Sequence, residues 1–246
     1  MATELVYLKD FDVITCSATV VSTQLVEDGR AMVILDQTCF YPRGGGQDWD
    51  EGVIESDAAT FTVTEVRLNE QGVVEHVGNY QSGTFTAGEQ VTCAVDAARR
   101  VINTRLHSAG HLVDMAVDQL QLPWRPVKGA HYPHMSFVEY DGEVAPEEAE
   151  QLRQQIEHAA NEIVTKGGSN GIRFMPVAEM HTVCRYVPEN IPANKPARVV
   201  VYNGTFGVPC GGTHVADVHD IGRMTVTKVK TKKGVTKVSY AVEGIN

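Results

Sequence analysis

At 246 residues, with 43% apolar and 21% charged side chains, the chain has the composition of a soluble globular protein of one large or two modest domains, and it lacks an apolar run near the ~20 residues of a membrane span. A formal net charge of -10 excludes an indiscriminate polyanion binder, which carries a basic excess, but not a local basic surface. The cysteines, Cys16, Cys39, Cys93, Cys184 and Cys210, are odd in number and widely spaced, so a disulfide framework is not expected and any special thiol should be a ligand or nucleophile.

The opening "MATELVYLKDFDV" has acids at Glu4, Asp10 and Asp12 and neither a basic nor a sustained apolar stretch of the secretory kind, which gives a cytoplasmic expectation. Short Val- and Thr-rich runs follow, "VITCSATVVSTQ", "AMVILD", "TFTVTEVRL", "GVVEHV" and "EQVTCAVD", separated by Gly, Asn and Asp, as in a small barrel or sandwich. Between them "QTCFYPRGGGQDWDEG" sets Gly44, Gly45 and Gly46 in a row; without Cβ atoms they allow close backbone approach or positive φ, and Arg43 and Gln47 beside them read as exposed donors. The segment is not a P-loop, since the Gly-Lys-Ser/Thr ending is absent.

The texture changes near residues 93–99, so the first domain is expected over 1–92 and the second over 93–246. A long helix is predicted through about Leu120, then an aromatic strand-like stretch from Lys128 to Tyr140. A second helix is predicted in "APEEAEQLRQQIEHAANEIVTKGG", with Pro146 in its first turn and Gly167-Gly168 as its stop. Strands follow at "GIRFMPV" and "ARVVVYN", and the chain closes in a predicted hairpin around Lys233-Gly234. The fold class is α+β.

In the first helix, "LHSAGHLVDMAVDQL" places His107 and His111 four apart, on one face, able to point two imidazoles at one site. For the pair alone, hydrogen-bonded core histidines are the alternative. "VPCGGTHVAD" supplies Cys210 and His214, again four apart around Gly211-Gly212, and three imidazoles with one thiol suit a tetrahedral zinc. A tight turn around a buried cysteine is the alternative there. Ser108 stands where the metalloprotease helix needs its Glu base, which disfavours peptide hydrolysis by that route. Asp114, one turn beyond His111, is placed to orient a ligand imidazole.

Taken in this order, "FYPRGGGQ", "HSAGH" and "CGGTH" resemble the AlaX family of alanyl-tRNA editing proteins and the homologous editing half of alanyl-tRNA synthetase, over roughly residues 12 to 240. The resemblance implies a small N-terminal β-barrel domain bearing the glycine motif. It also implies an α/β editing domain of the threonyl/alanyl-tRNA synthetase second additional domain type, with Zn2+ held by His107, His111, Cys210 and His214. The implied reaction is ATP-independent hydrolysis, in trans, of the ester joining Ser or Gly to alanine tRNA, with water on the zinc and Cys210 as participants. An aminoacyl ester is already activated, so a held water and an oriented carbonyl suffice without a covalent nucleophile. Four simultaneous protein ligands would instead be the closed set of a structural site.

Two positions depart from the family pattern: Gly110, where Thr is common, and Val127-Lys128-Gly129, where a Gln ahead of the "KG" is common; both touch the choice of amino acid. Contacts to the tRNA acceptor end, or between domains, are expected from Arg43, Gly44, Gly45, Gly46 and Gln47, and from Lys230, Lys232 and Lys233 in a terminal segment that also holds Arg223, Lys228 and Lys237. Edge protection is the alternative role for those lysines. Arg99, Arg100 and Arg105 could add to the same field, and Tyr132 and His134 could stack on a base. Rival readings are another zinc-dependent ester or amide hydrolase on this scaffold, and a non-catalytic tRNA-binding factor with a structural zinc.

Overall fold

The structure is a computed structural model describing residues 2–26, 28–189, 191–192 and 195–245. It divides into two compact units: Met1–Gly44 with Asp48–Val101, and Gly45–Gln47 with Ile102–Asn246.

The first unit contains β1 (Glu4–Leu5), β2 (Thr15–Leu25), β3 (Ala31–Leu35), β4 (Gln37–Thr38), β5 (Gly52–Glu55), β6 (Thr60–Leu68), β7 (Val74–Ser82) and β8 (Gln90–Val95). Six of these close a barrel in the order β2-β3-β7-β6-β5-β8, while β1 and β4 form a short parallel pair. Closure leaves the barrel no unpaired edge. Alternation explains the core: in β6, Phe61 and Val63 point inward, and a register shift between Val63 and Glu65 then resets the phase so that Val66 is also buried. These side chains pack with Val33, Leu35, Phe40, Ile54 and Val74 in one apolar cluster.

Two buried polar groups stiffen this unit. The imidazole of His76 lies 3.0 Å from the Val33 carbonyl at Nδ1 and 2.8 Å from Thr38 Oγ1 at Nε2, so both nitrogens are satisfied. The Arg100 guanidinium grips the Asp50 carboxylate and donates to the carbonyls of Val13 and Cys39. Arg100 is therefore removed from any surface field. The barrel unit runs past residue 92 to Val101, since β8 pairs with both β2 and β5 as far as Val95.

The second unit takes most of α1 (Ala97–Gln119), then β9 (Arg125–Tyr132), β10 (Met135–Asp141), α2 (Ala149–Lys166), β11 (Gly171–Met175), β12 (Ala197–Tyr202), β13 (Phe206–Pro209), β14 (Met224–Lys232) and β15 (Val235–Val242). One sheet runs β14-β15-β10-β9 and another β11-β12-β13. The molecule is thus α+β. The stretch read as one strand from Lys128 to Tyr140 is a hairpin, β9 and β10, turning at Pro133-His134 between the paired Tyr132 and Met135. Helix α2 buries Leu152, Ile156, Ala159, Ala160, Ile163 and Val164, a stripe at helical spacing, and packs against β14. It begins three residues after Pro146, which sits in the preceding turn, and stops at Gly167, whose φ of 63° other residues avoid. The final hairpin turns at Lys233 and Gly234, both with positive φ. Among the described residues no helix is long and apolar enough to cross a membrane.

Candidate metal centre

The four spaced residues of α1 and the loop after β13 come together in the second unit: one ligating atom from each of His107, His111, Cys210 and His214 lies within 4.8 Å of all the others. Cys210 Sγ is 3.4 Å from His107 Nε2 and 3.3 Å from His214 Nε2. Tetrahedral zinc with bonds of about 2.0–2.3 Å separates its ligands by edges of about this length.

Each imidazole is turned the same way. His107 Nδ1 is 2.7 Å from Gln47 Oε1, His214 Nδ1 is 2.9 Å from the Tyr202 hydroxyl, and His111 Nδ1 faces Asp114 Oδ2 at 3.4 Å. The Gln47 and Asp114 oxygens can only accept, so they hold a proton on Nδ1 of His107 and His111 and leave Nε2 for a cation, while the Tyr202 hydroxyl braces His214 at the same ring atom. The outer groups are themselves anchored. Gln47 Nε2 donates to Thr213 Oγ1 at 2.9 Å, and Tyr140 donates to Asp114 Oδ1 at 2.6 Å. His111 Nε2 is buried with no hydrogen-bond partner, the orphaned atom expected where a metal belongs.

Local sequence explains the loop. A Cβ on Gly212 would stand 2.2 Å from His107 Cε1, so only glycine lets the chain pass over that ring, whereas Gly211 faces open space. Arg198, from β12, donates from Nη1 to the carbonyls of Cys210 and Gly212 at 2.9 and 2.8 Å and holds the turn. Ser108 accepts from the Val215 N–H at 3.1 Å, tying α1 to the same loop.

The electrostatics suit metal binding. Burial alone would raise the Cys210 thiol, but the adjacent charged His111 ring, with the Gly212 N–H and the Arg198 charge, brings it below its ordinary value. Burial would likewise lower His111, and Asp114 and Cys210 outweigh it, lifting the ring to about 9. Burial, reinforced by neighbouring histidines and Arg198, drives His107 and His214 well below 6.5. A thiol pushed toward thiolate and two neutral imidazoles are the forms that ligate zinc, and a dication would displace the proton held by His111.

The cluster forms part of the wall of a cleft of about 490 Å3 within the second unit, whose other walls include Gly45, Gly46, Trp124, Lys128, Gly129, His131 and Tyr186. Cys210 is half-buried, and the three histidines are buried. Gly45 and Gly46 have positive φ, and a Cβ on Gly46 would meet the Gly129 carbonyl oxygen at 2.4 Å; His131 N–H donates to the Gly46 carbonyl at 2.8 Å. The glycine motif is thus a backbone clasp on β9. Gln47, expected as an exposed donor, is fully buried because His107 and Thr213 claim its amide, while Arg43 and Gly44 are exposed.

The other expected residues divide. Lys230, Lys232 and Lys233 are exposed on β14 and its turn, at a sheet edge that carries a bulge between Val226 and Lys228. Lys237 is drawn into an ion pair with Glu139 at 2.9 Å. Arg105 is committed to the carbonyls of Ile221 and Glu243. Tyr132 and His134 stack on each other across the β9–β10 turn at 5.8 Å. Sequence reasoning missed Tyr202, Arg198, Tyr240 and His131. Only His131 left a signal, a histidine two residues beyond the departing "KG".

Compared with known proteins, residues 9–99 match the model of the class II (A) tRNA synthetases, a region covering most of the barrel and none of the metal cluster. The chain is 31% identical to the alanyl-tRNA editing protein AlaX-M of Saccharolobus solfataricus over 98% of its own length and 99% of that protein. It is 30% identical to the alanine–tRNA ligase of Paraburkholderia phytofirmans and 29% identical to that of Methanobrevibacter smithii, spanning 27% of the length of each.

Proposed function

The chain belongs to the family of the alanyl-tRNA editing protein AlaX-M, and from that premise we propose that it is a trans-acting, zinc-dependent aminoacyl-tRNA deacylase that removes Ser or Gly from alanine tRNA. The observation that carries the reading is the convergence of three Nε2 atoms and one Sγ on the wall of the cleft. The cleft volume of about 490 Å3 lies within the range of about 300–1,000 Å3 typical of small-ligand sites. It has room for an aminoacyl group together with part of the terminal adenosine. On this reading the second unit is an editing domain of the synthetase second-additional-domain type, and the partner is the acceptor end of alanine tRNA.

His107, His111, Cys210 and His214 would hold the zinc, and when bound it supplies Lewis acidity to polarise an ester oxygen or activate water. The protein's own groups do the positioning. Gln47, Asp114 and Tyr202 lock the imidazoles by their Nδ1 atoms, and Arg198 fixes the carbonyls around Cys210, so the site is rigid before substrate arrives. Half-buried Cys210 is the ligand exposed to an entering ester. Because the acyl ester is already activated, orientation and charge stabilisation in the cleft suffice for its hydrolysis by water.

The test is release of amino acid from Ser-, Gly- and Ala-charged alanine tRNA by wild type and Cys210→Ala, with metal content measured on both. Wild type should release Ser or Gly while sparing Ala, and Cys210→Ala should lose metal and at least about a thousandfold in rate. Full activity in metal-free protein overturns the zinc role. Tight tRNA binding without release of any amino acid would instead identify a binding factor with a structural zinc.

A further inference from the structure

Beside the metal ligands lies a fourth buried histidine that they do not use. The ring of His131, from β9, is stacked on His107 with centroids 4.5 Å apart and planes 19° apart, and it forms part of the cleft wall. Two glycines make its berth: a Cβ on Gly110 would stand 2.4 Å from His131 Cε1, and one on Gly129 would stand 2.7 Å from its Nε2. The absence of a side chain at Gly110 is therefore the space in which this imidazole sits.

Its hydrogen bonds determine its tautomer. The Tyr240 hydroxyl donates to the main-chain carbonyl of Leu106 at 2.9 Å, and a carbonyl only accepts. The same hydroxyl is 2.6 Å from His131 Nδ1, and its one proton is spent, so Nδ1–H donates to the phenol oxygen. Nε2 then carries a lone pair. The ring's one side-chain hydrogen bond among the described residues is the one at Nδ1, and Nε2 lies on the Gly129 side of the ring, where Gly129 is itself a cleft wall.

Resting on the deacylase reading, we propose that His131 is a specificity residue: its Nε2 accepts a hydrogen bond from the side-chain hydroxyl of a seryl ester. An editing site must spare the correct alanyl ester, which is smaller than seryl, so steric exclusion cannot separate them. An acceptor on the cleft wall that a bound ester covers, satisfied by a hydroxyl and left unpaired by a methyl group, separates them strongly. Tyr240 acts through His131 as a positioning residue.

The experiment compares wild type, His131→Phe and Tyr240→Phe in two readouts. The first is the Kd of non-hydrolysable 3′-aminoacylamino-adenosines carrying seryl or alanyl groups. The second is kcat/KM on Ser- and Gly-charged alanine tRNA, with zinc content checked. His131→Phe keeps an aromatic ring against His107 and removes the acceptor. Wild type should prefer the seryl analogue by at least about tenfold, and His131→Phe should abolish that preference and lower kcat/KM for Ser by about 10- to 100-fold, with Gly changed by less than about threefold. Tyr240→Phe, which frees the tautomer, should reduce the preference by a smaller factor. A preference retained in His131→Phe, or equal losses for both analogues and both tRNAs, overturns the inference. Absence of turnover on any mischarged tRNA would sink the deacylase reading on its own, because the analogue ratio is measured without chemistry.

Discussion

Both units bury histidines, and they use them in opposite ways. In the barrel, His76 has a carbonyl at one ring nitrogen and a hydroxyl at the other, so it is a closed structural piece. In the second unit His107, His111 and His214 have only Nδ1 engaged outside the cluster, and their Nε2 atoms turn toward one another and toward Cys210. Burial alone therefore says little about a histidine's role. What distinguishes a functional imidazole is a nitrogen that the fold leaves open and several elements aim at one point.

Acid separates the two kinds of histidine most strongly. Burial holds the His76 ring near 4, below the unfolded value of about 6.5, so the ring is neutral in the folded barrel. Its stability contribution is complete above pH 6.5 and is lost as pH falls toward 4, about 3 kcal/mol in all. Denaturant unfolding from pH 7 to pH 4 should show this slope in wild type and a shallower one in His76→Gln, with metal content unchanged at pH 7. Identical slopes would remove His76 from the acid response.

A smaller effect sharpens the other half of the contrast. Gln47→Ala deprives His107 Nδ1 of its acceptor without touching a ligand, and chelator competition should show metal affinity about 10- to 100-fold weaker. An affinity within twofold of wild type would mean that the amide does not set the ring. Smallest is the effect of the basic edge. Neutralising Lys230, Lys232 and Lys233 to Gln should flatten the dependence of log Kd for tRNA on log salt by about 2–3 units and leave metal binding intact. An unchanged slope would assign these exposed lysines to protection of the β14 edge.

Local patterns made the elements legible. Val- and Thr-rich runs announced β2, β3, β6, β7 and β8, Pro146 and Gly167-Gly168 bracketed α2, and Lys233-Gly234 announced the last turn. The i, i+4 spacing likewise put His107 beside His111 and Cys210 close to His214. The β9–β10 turn was missed because Pro133-His134 interrupts an otherwise continuous aromatic stretch by only two residues.

By itself, then, the sequence determined which residues were chemically able to form the centre, since residue type and local spacing are written along the chain. Only the tertiary structure decided which nitrogen each imidazole presents, that Gln47 is a buried brace rather than a surface donor, and that Gly110 is the berth of His131. Those outcomes depend on Gln47, Asp114, Tyr202 and Tyr240, which reach the cluster from a loop, a helix and two strands. Hydrogen-bond direction is a property of such assembled pairs, and a one-dimensional pattern carries no record of it.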